Sequence, residues 1–281
     1  MEKYTDLHTH STASDGTFTP ERLAEAAKEA GLASIALTDH DTVEGIDRFM
    51  YAGKKFGIET IPGIELAAAY KNTELHIVGL FIDHKSDSLV RSMEYIVGER
   101  NERNLKMIKA LKRNGMDVTI EELEENAGGA IITRAHYANV LVKKGYVKNK
   151  EEAFSKYISA GKPAYVKRET LTPKKCIETI AEAGGIPVLA HATLYGYGYL
   201  EIHNLIGELK KYGLMAVETM YSTYTEKQSD EIRKICLSYG LLQSGGSDFH
   251  GLNKADIKLG IGRGNLRIPQ LFAEEMKRGL M

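Results

Sequence analysis

The sequence predicts an α/β fold: a mostly parallel sheet, closed or nearly closed into a barrel, interrupted by a small helical domain. Three observations predict it. Short β-rich runs alternate with amphipathic helical stretches up to about residue 100 and again from about residue 170, the pattern of repeated β-α units. Between about 100 and 170 no convincing buried strand occurs. Histidines and acids recur just past the ends of the apolar runs, where a barrel of this kind gathers its active face.

"KYTDLH" reads as the first strand. A helix over Pro20–Ala30 follows, opened by Thr19 as N-cap with proline at its first position and closed by Gly31. "ASIALTDHD" is the second strand, and a helix from about Val43 to Phe56 ends at Gly57. "IETIPGIELAAAY" and "ELHIVGLFID" flank Lys71–Asn72–Thr73, which reads as a hairpin turn. A long charged helix, about Ser88 to Asn114, leads into "TIEELEENAG", "TRAHYANVLVKKG" and "NKEEAFSKYISAG", three short helices of an insertion. Alternation resumes with "IPVLAH", "LMAVETM" and "LLQSGGSDFH", separated by helices at about 173–184, 200–212 and 225–239. The count is seven strands, and the expected organisation is a barrel from 1–100 and 171–281 around a helical insertion at 101–170.

A chain of 281 residues accommodates one large domain, or one carrying a smaller insertion. Its hydrophobic share of 43% and charged share of 27% are ordinary for a globular protein. A net charge of −1 gives no overall basic footprint for a long nucleic acid, so an anionic ligand must be held by a few specific groups. Cys176 and Cys236 fall in helical stretches without a CxxC, which supports neither a disulfide framework nor a thiolate metal site. No apolar run approaches the roughly 18 residues that span a bilayer, and chemistry starting at Asp6 leaves no room for a signal peptide. A cytoplasmic protein without membrane contact is expected, and no protein partner is evident.

The chemistry-bearing residues share one placement. His8 and His10 follow the first strand, and the alternation of an extended chain aims both imidazoles the same way, a geometry for gripping one ion. "TDHD" supplies His40, "IPVLAH" supplies His191, and "GGSDFHG" supplies Asp248 and His250 in a turn whose glycines permit close backbone approach. Asp6, Asp39 and Asp41 are expected as N-caps or as partners that orient imidazoles. Glu65 interrupts the apolar "IPGIELAAAY", and a carboxylate there is costly unless paired or coordinated. Across the hairpin, His76 can reach the same barrel end or serve as a core histidine. Tyr195 and Tyr197 of "YGYGYL" are candidates for stacking a base, and "GIGRGN" reads as a closing turn because it lacks the context of a phosphate loop.

Taken in order, "DLHTHSTASDG", "LTDHDT", "GIE", "LHIVG", "LAH" and "GGSDFHG" resemble the PHP (polymerase and histidinol phosphatase) family of metal-dependent phosphoesterases over most of residues 1–100 and 170–262. "ITRAHYANVLVKKGYV" and "EAFSKYISAGKPAYV" resemble a subgroup with a helical insertion, whose members act on nucleotide phosphates such as 3',5'-bisphosphates and on the 5' ends of short RNA. The resemblance implies a distorted (β/α)7 barrel holding three divalent ions. It would place the first on His8, His10, Glu65 and Asp248, the second on Asp15, His40 and His250, and the third on His76 and His191 with Glu65 bridging. Nitrogen and oxygen donors without thiolates suit Mn, Fe or Zn. Three divalent ions against three carboxylates and neutral imidazoles leave an excess of about three positive charges, which suits a hydroxide plus a phosphate monoester of about −1.5 to −2.

The expected reaction is hydrolysis of a phosphate monoester of a small nucleotide or nucleotide end by an in-line, metal-bridging hydroxide. The resemblance also suggests that the insertion caps the barrel mouth, with Arg134 and Lys162 as cations over the substrate and His136 touching it. Three alternatives stand beside this reading: a phosphatase for a small metabolite such as histidinol phosphate, an amide-cleaving enzyme, and a non-catalytic module that binds metal or nucleic acid. The second would leave Asp15 and His76 without a role and puts Glu65 where a bridging lysine is typical.

Overall fold

In the computed structural model, which describes residues 2–129, 132–167 and 169–280, the strands are β1 (Thr5–Asp6), β2 (Ser34–Leu37), β3 (Glu59–Tyr70), β4 (Thr73–Leu80), β5 (Ile186–Leu189), β6 (Ala216–Tyr221) and β7 (Leu242–Gly246). The helices are α1 (Pro20–Glu29), α2 (Ile46–Phe56), α3 (Asp87–Arg113), α4 (Ile120–Ala127), α5 (Arg134–Lys143), α6 (Lys150–Ala153), α7 (Pro173–Glu182), α8 (Tyr199–Lys211), α9 (Glu226–Ser238) and α10 (Gln270–Gly279).

Local chemistry accounts for the helix starts. The hydroxyls of Thr19, Thr172 and Thr225 each accept a backbone N–H of the first turn, from Arg22, Lys175 and Gln228 respectively. Thr119 and Glu122 form a reciprocal capping box on α4. Gly57 ends α2 in the left-handed region at φ 67°, which a residue with a Cβ adopts only under strain.

The seven strands form one sheet in the order β1-β2-β3-β4-β5-β6-β7. It is parallel except around β4, which runs antiparallel to both β3 and β5. Closure comes from β7 returning to β1, where Leu7 N–H donates to Gly245 O and Asp248 N–H to His8 O at 2.8 Å. The result is a nearly closed, distorted (β/α)7 barrel. Its interior is one apolar cluster that joins Leu7, Ala36, Ile61, Val78, Val188 and Ala216 to Phe272 and Met276 of α10.

By its internal contacts the chain divides into two units, Met1–Met93 with Leu171–Met281, and Glu94–Thr170. The second has its own core, centred on the fully buried Tyr137 with Met107, Leu111, Leu123 and Leu141. Its final segment departs from the expected single helix: α6 covers only Lys150–Ala153, and Phe154–Ile158 continues with π-type spacing.

Two further differences have simple causes. The hairpin turn is two residues, Lys71–Asn72, because Thr73 already pairs with Tyr70; Lys71 takes the positive φ (51°) such a turn requires. Helix α10, absent from the sequence reading, packs Phe272 and Met276 into the barrel core. Among the described residues, no helix is long and apolar enough to cross a membrane.

Candidate metal centre

Backbone pairing continues past the strand ends and fixes the polar residues there. Thr9 bridges Phe249 and His40 bridges Glu65, both in parallel sense. His10 N–H donates to Phe249 O at 2.9 Å, and Asp41 N–H to Glu65 O at 2.9 Å. Three non-glycine residues at these corners take left-handed backbone: Asp41 (φ 52°), His191 (φ 27°) and Asp248 (φ 57°). Such conformations cost of order 1–3 kcal/mol each and persist where surrounding structure imposes them.

All nine ligand candidates, His8, His10, Asp15, His40, Glu65, His76, His191, Asp248 and His250, meet in one cluster within the first unit. Its hub is Glu65, fully buried on β3. Oε1 lies 2.8 Å from His76 Nδ1 and 3.0 Å from His191 Nε2. Oε2 lies 3.2 Å from His8 Nε2, 3.3 Å from His10 Nε2 and 3.0 Å from His40 Nδ1. Asp248 Oδ1 is 3.2 Å from His10 Nε2 and 3.3 Å from His250 Nδ1, and His250 Nε2 is 3.2 Å from Asp15 Oδ1. The cluster is graded: His8 and His10 are sealed, whereas the side chains of Asp15 (44%), His40 (27%) and His76 (23%) keep part of their surface in solvent.

Electrostatics follow from this packing. Burial pushes the Glu65 carboxyl up, but His8, His40 and His76 outweigh it and hold the group well below the usual carboxylate range. Asp248, likewise buried, is held low by His10 and His8, and Asp15 by His250 and His40. The imidazoles answer in kind: burial would depress them, yet the carboxylates raise His10 to about 9, His76 to about 10, and His8 well above its ordinary value. His250 is lowered by burial and by its neighbour His10.

The donor set fits divalent cations. His8 Nε2, both nitrogens of His10, and Glu65 Oε2 are buried without a hydrogen-bond partner, although carboxylate and imidazole atoms converge on one another there. Groups that could hold an ion include His10–Asp15–His40–His250, His8–Glu65–His191, His8–His10–Asp248 and His40–Glu65–His76. The geometry therefore supports divalent metal binding by imidazole and carboxylate donors.

Asp6, Asp39 and Asp41, expected as N-caps or as partners that orient imidazoles, accept hydrogen bonds from backbone and hydroxyl donors around the cluster. Asp6 accepts from Ser247 N–H and Gly260 N–H, both at 2.8 Å, so it ties the "GIGRGN" turn to β7. Asp39 accepts from Ser11 and Ser14, and Asp41 Oδ1 from Ala67 N–H. Such short acids satisfy loop backbone groups more readily than they reach across a barrel. The Tyr195 hydroxyl donates to Ala190 O and accepts from His76 N–H, both at 2.9 Å, and its ring meets the His191 ring edge-on at 5.7 Å. Tyr197 is half-buried. Residues missed in the sequence are Glu218, Tyr221 and Lys254; the last two each donate to Asp248 Oδ2 at 2.6 Å, leaving Oδ1 facing the histidines. Glu218 had a legible signal, a carboxylate within the apolar "LMAVETM".

In the helical unit, Arg134 opens α5, exposed, with its guanidinium carbon 5.7 Å from the centre of the Tyr165 ring. Lys162 is exposed, and His136 Nδ1 accepts from Thr133 N–H at 3.1 Å.

Gly246 shows how tightly the site is drawn. A Cβ there would overlap His8, lying 2.8 Å from its backbone nitrogen. Gly246→Ala is expected to destabilise the metal-free protein by about 1–3 kcal/mol, the range for overpacking. Urea unfolding checks it, and an unchanged midpoint would contradict the close approach.

A family model described as PHP domain matches residues 6–166. A 5'-3' exoribonuclease of Haemophilus influenzae is 36% identical over 89% of this chain and 91% of its own length. A 3',5'-nucleoside bisphosphate phosphatase of Chromobacterium violaceum is 32% identical over 87% of this chain and 86% of its own. Among solved structures, a candidate metal-dependent phosphoesterase of Bifidobacterium adolescentis is similar with a TM-score of 0.83 at 25% identity, covering 98% of this chain and 95% of that one.

Proposed function

The chain belongs to the PHP-domain family, and on that premise we propose that it is a metal-dependent phosphoesterase hydrolysing phosphate monoesters of small nucleotides, 3',5'-bisphosphates among them, or of short RNA ends. The observation that carries the reading is Glu65, buried and met by five imidazoles within 3.3 Å. The names of the relatives support the nucleotide class.

Three divalent ions, Mn, Fe or Zn, would be held by His8, His10, Glu65 and Asp248, by Asp15, His40 and His250, and by His76, His191 and Glu65. The split of Glu65, one oxygen toward His76 and His191 and the other toward His8 and His10, supports its bridging role. When bound, such ions supply positive charge to phosphate oxygens and lower the pKa of a coordinated water. The chain's own residues do the rest. Asp15, His40 and His76 form the solvent-facing rim that admits the ester, while the sealed His8, His10 and Glu65 exclude bulk water beneath it. Tyr221 and Lys254 hold Asp248 by one oxygen so that the other stays directed inward. Arg134, Lys162 and His136 of the helical unit are the further candidates for contact with substrate, the two cations suiting phosphate oxygens.

Elemental analysis of the purified protein, joined to a phosphate-release screen, tests the reading. The panel holds mononucleotides, 3',5'-bisphosphates, 5'-phosphorylated short RNAs, histidinol phosphate and a lactam series. Nucleoside-bearing esters are expected to turn over at least tenfold better than simple sugar or amino-alcohol phosphates. Arg134→Ala should raise KM for a bisphosphate by roughly 10–100-fold, the loss of one charge-assisted contact. Lactam hydrolysis without phosphate release, or a protein that binds no metal, would overturn the proposal.

A further inference from the structure

Glu218 lies at the centre of β6, 1% exposed, between Val217 and Thr219. A bulge follows it: Glu218 pairs with Ser244 and Met220 with Gly245, so one residue of β6 is unmatched at this point. Its two oxygens serve two distant parts of the barrel. Oε1 accepts from His8 Nδ1 at 2.7 Å across 210 residues of chain. Oε2 accepts from the backbone N–H of His191 at 2.6 Å. That N–H belongs to the corner at φ 27°, ψ 51°, the smallest of the positive φ values.

We propose that Glu218 is a positioning residue for two of the three ions, aiming His8 Nε2 into the cluster and clamping the strained corner that carries the His191 ring. The inference rests on the ligand assignment under Proposed function. An imidazole has two nitrogens, and its Nδ1–H, once donated to a carboxylate, leaves Nε2 as the atom directed at Glu65, 3.2 Å away. His8 and His191 belong to the first and third ions. The hydrogen bonds of Glu218 include none to Asp15, His40 or His250, the ligands of the second. Both partners are donors, so an isosteric glutamine can satisfy only one of them; its NH2 must face the other donor.

The test titrates Mn2+ alone into metal-stripped parent protein, Glu218→Gln and Glu218→Asp, and measures kcat/KM at limiting and saturating Mn2+ with the unfolding temperature of each metal-free protein. Two of the ions bound by Glu218→Gln should weaken by about 10–100-fold, the usual cost of losing an outer partner of a metal ligand, while the remaining ion binds as in the parent. The drop in kcat/KM should be recovered at saturating Mn2+. Glu218→Asp, which keeps the charge but withdraws the oxygens, should show the same selective weakening and stands in should the glutamine variant fail to fold. A Mn2+ isotherm identical to the parent's, or a uniform weakening of every ion that saturating Mn2+ does not repair, overturns the proposal. A parent protein that binds no Mn2+ overturns the ligand assignment itself and is separately visible in the first titration.

Discussion

Glu65→Gln should lose at least about three orders of magnitude in kcat/KM, roughly 4 kcal/mol of transition-state stabilisation, together with the ions that the proposed ligand assignment places on Glu65. The size follows from what converges on the group. Both carboxylate oxygens are engaged, Oε1 by His76 and His191 and Oε2 by His8, His10 and His40, all within 3.3 Å. Glutamine keeps the shape but removes the negative charge and turns one oxygen into a donor, so cations held there would lose a carboxylate oxygen and the charge that balances them. The site that relies on Asp15, His40 and His250 should persist. Elemental content after dialysis and steady-state kinetics are the measurements. A Glu65→Gln protein with the parent's metal content and activity within tenfold would remove Glu65 from the centre of the chemistry.

The second large effect concerns protons. Loading the metal-free protein with Mn2+ at pH 7.5 should release about two to three protons per molecule. His10 is raised to about 9 and His76 to about 10, with His8 well above its ordinary value, because the neighbouring carboxylates outweigh the burial that opposes their charge. At pH 7.5 these imidazoles carry protons in the absence of metal, and ligand imidazoles bind neutral. Glu65, Asp248 and Asp15 are already ionised and contribute none. Metal affinity should therefore climb steeply from pH 6 to 9.

Stability of the metal-free protein should move the opposite way. Groups whose folded pKa is raised stabilise fully below the unfolded value of about 6.5, and that contribution disappears as pH rises through about 9 for His10 and about 10 for His76. The depressed carboxylates stabilise above their unfolded values, near 4, and lose that contribution as pH falls. The gap in unfolding temperature between loaded and metal-free protein should widen from pH 7 to 10. Calorimetric titration in buffers of different ionisation enthalpy counts the protons, and a count of zero would mean that the imidazoles are already neutral.

Much of the fold and of the site is legible in the chain itself. The HxH of "LHTH", the "TDHD" corner and the "GGSDFHG" turn declare themselves because strand periodicity and glycine-rich turns are properties of adjacent residues. Thr19–Pro20 and Thr172–Pro173 announce their helices for the same reason. Glu65 shows as a charge in an apolar run. Glu218 carries the same signal, yet its meaning depends on His8, 210 residues away. Tyr195 shows the converse: a tyrosine beside a glycine suggests an exposed loop ring, and only the folded chain turns its hydroxyl back to Ala190 and His76.

By itself the sequence determined the seven strands and which side chains stand at their ends. Tertiary structure alone decided the reversed direction of β4, the packing of α10 into the barrel core, the division of Glu65 between two sets of imidazoles and the anchoring of His8 by Glu218. The reason is physical. A residue's neighbours along the chain set its local conformation and facing, whereas its partners across the barrel are selected when closure buries apolar surface and forces each polar atom left inside to find a match.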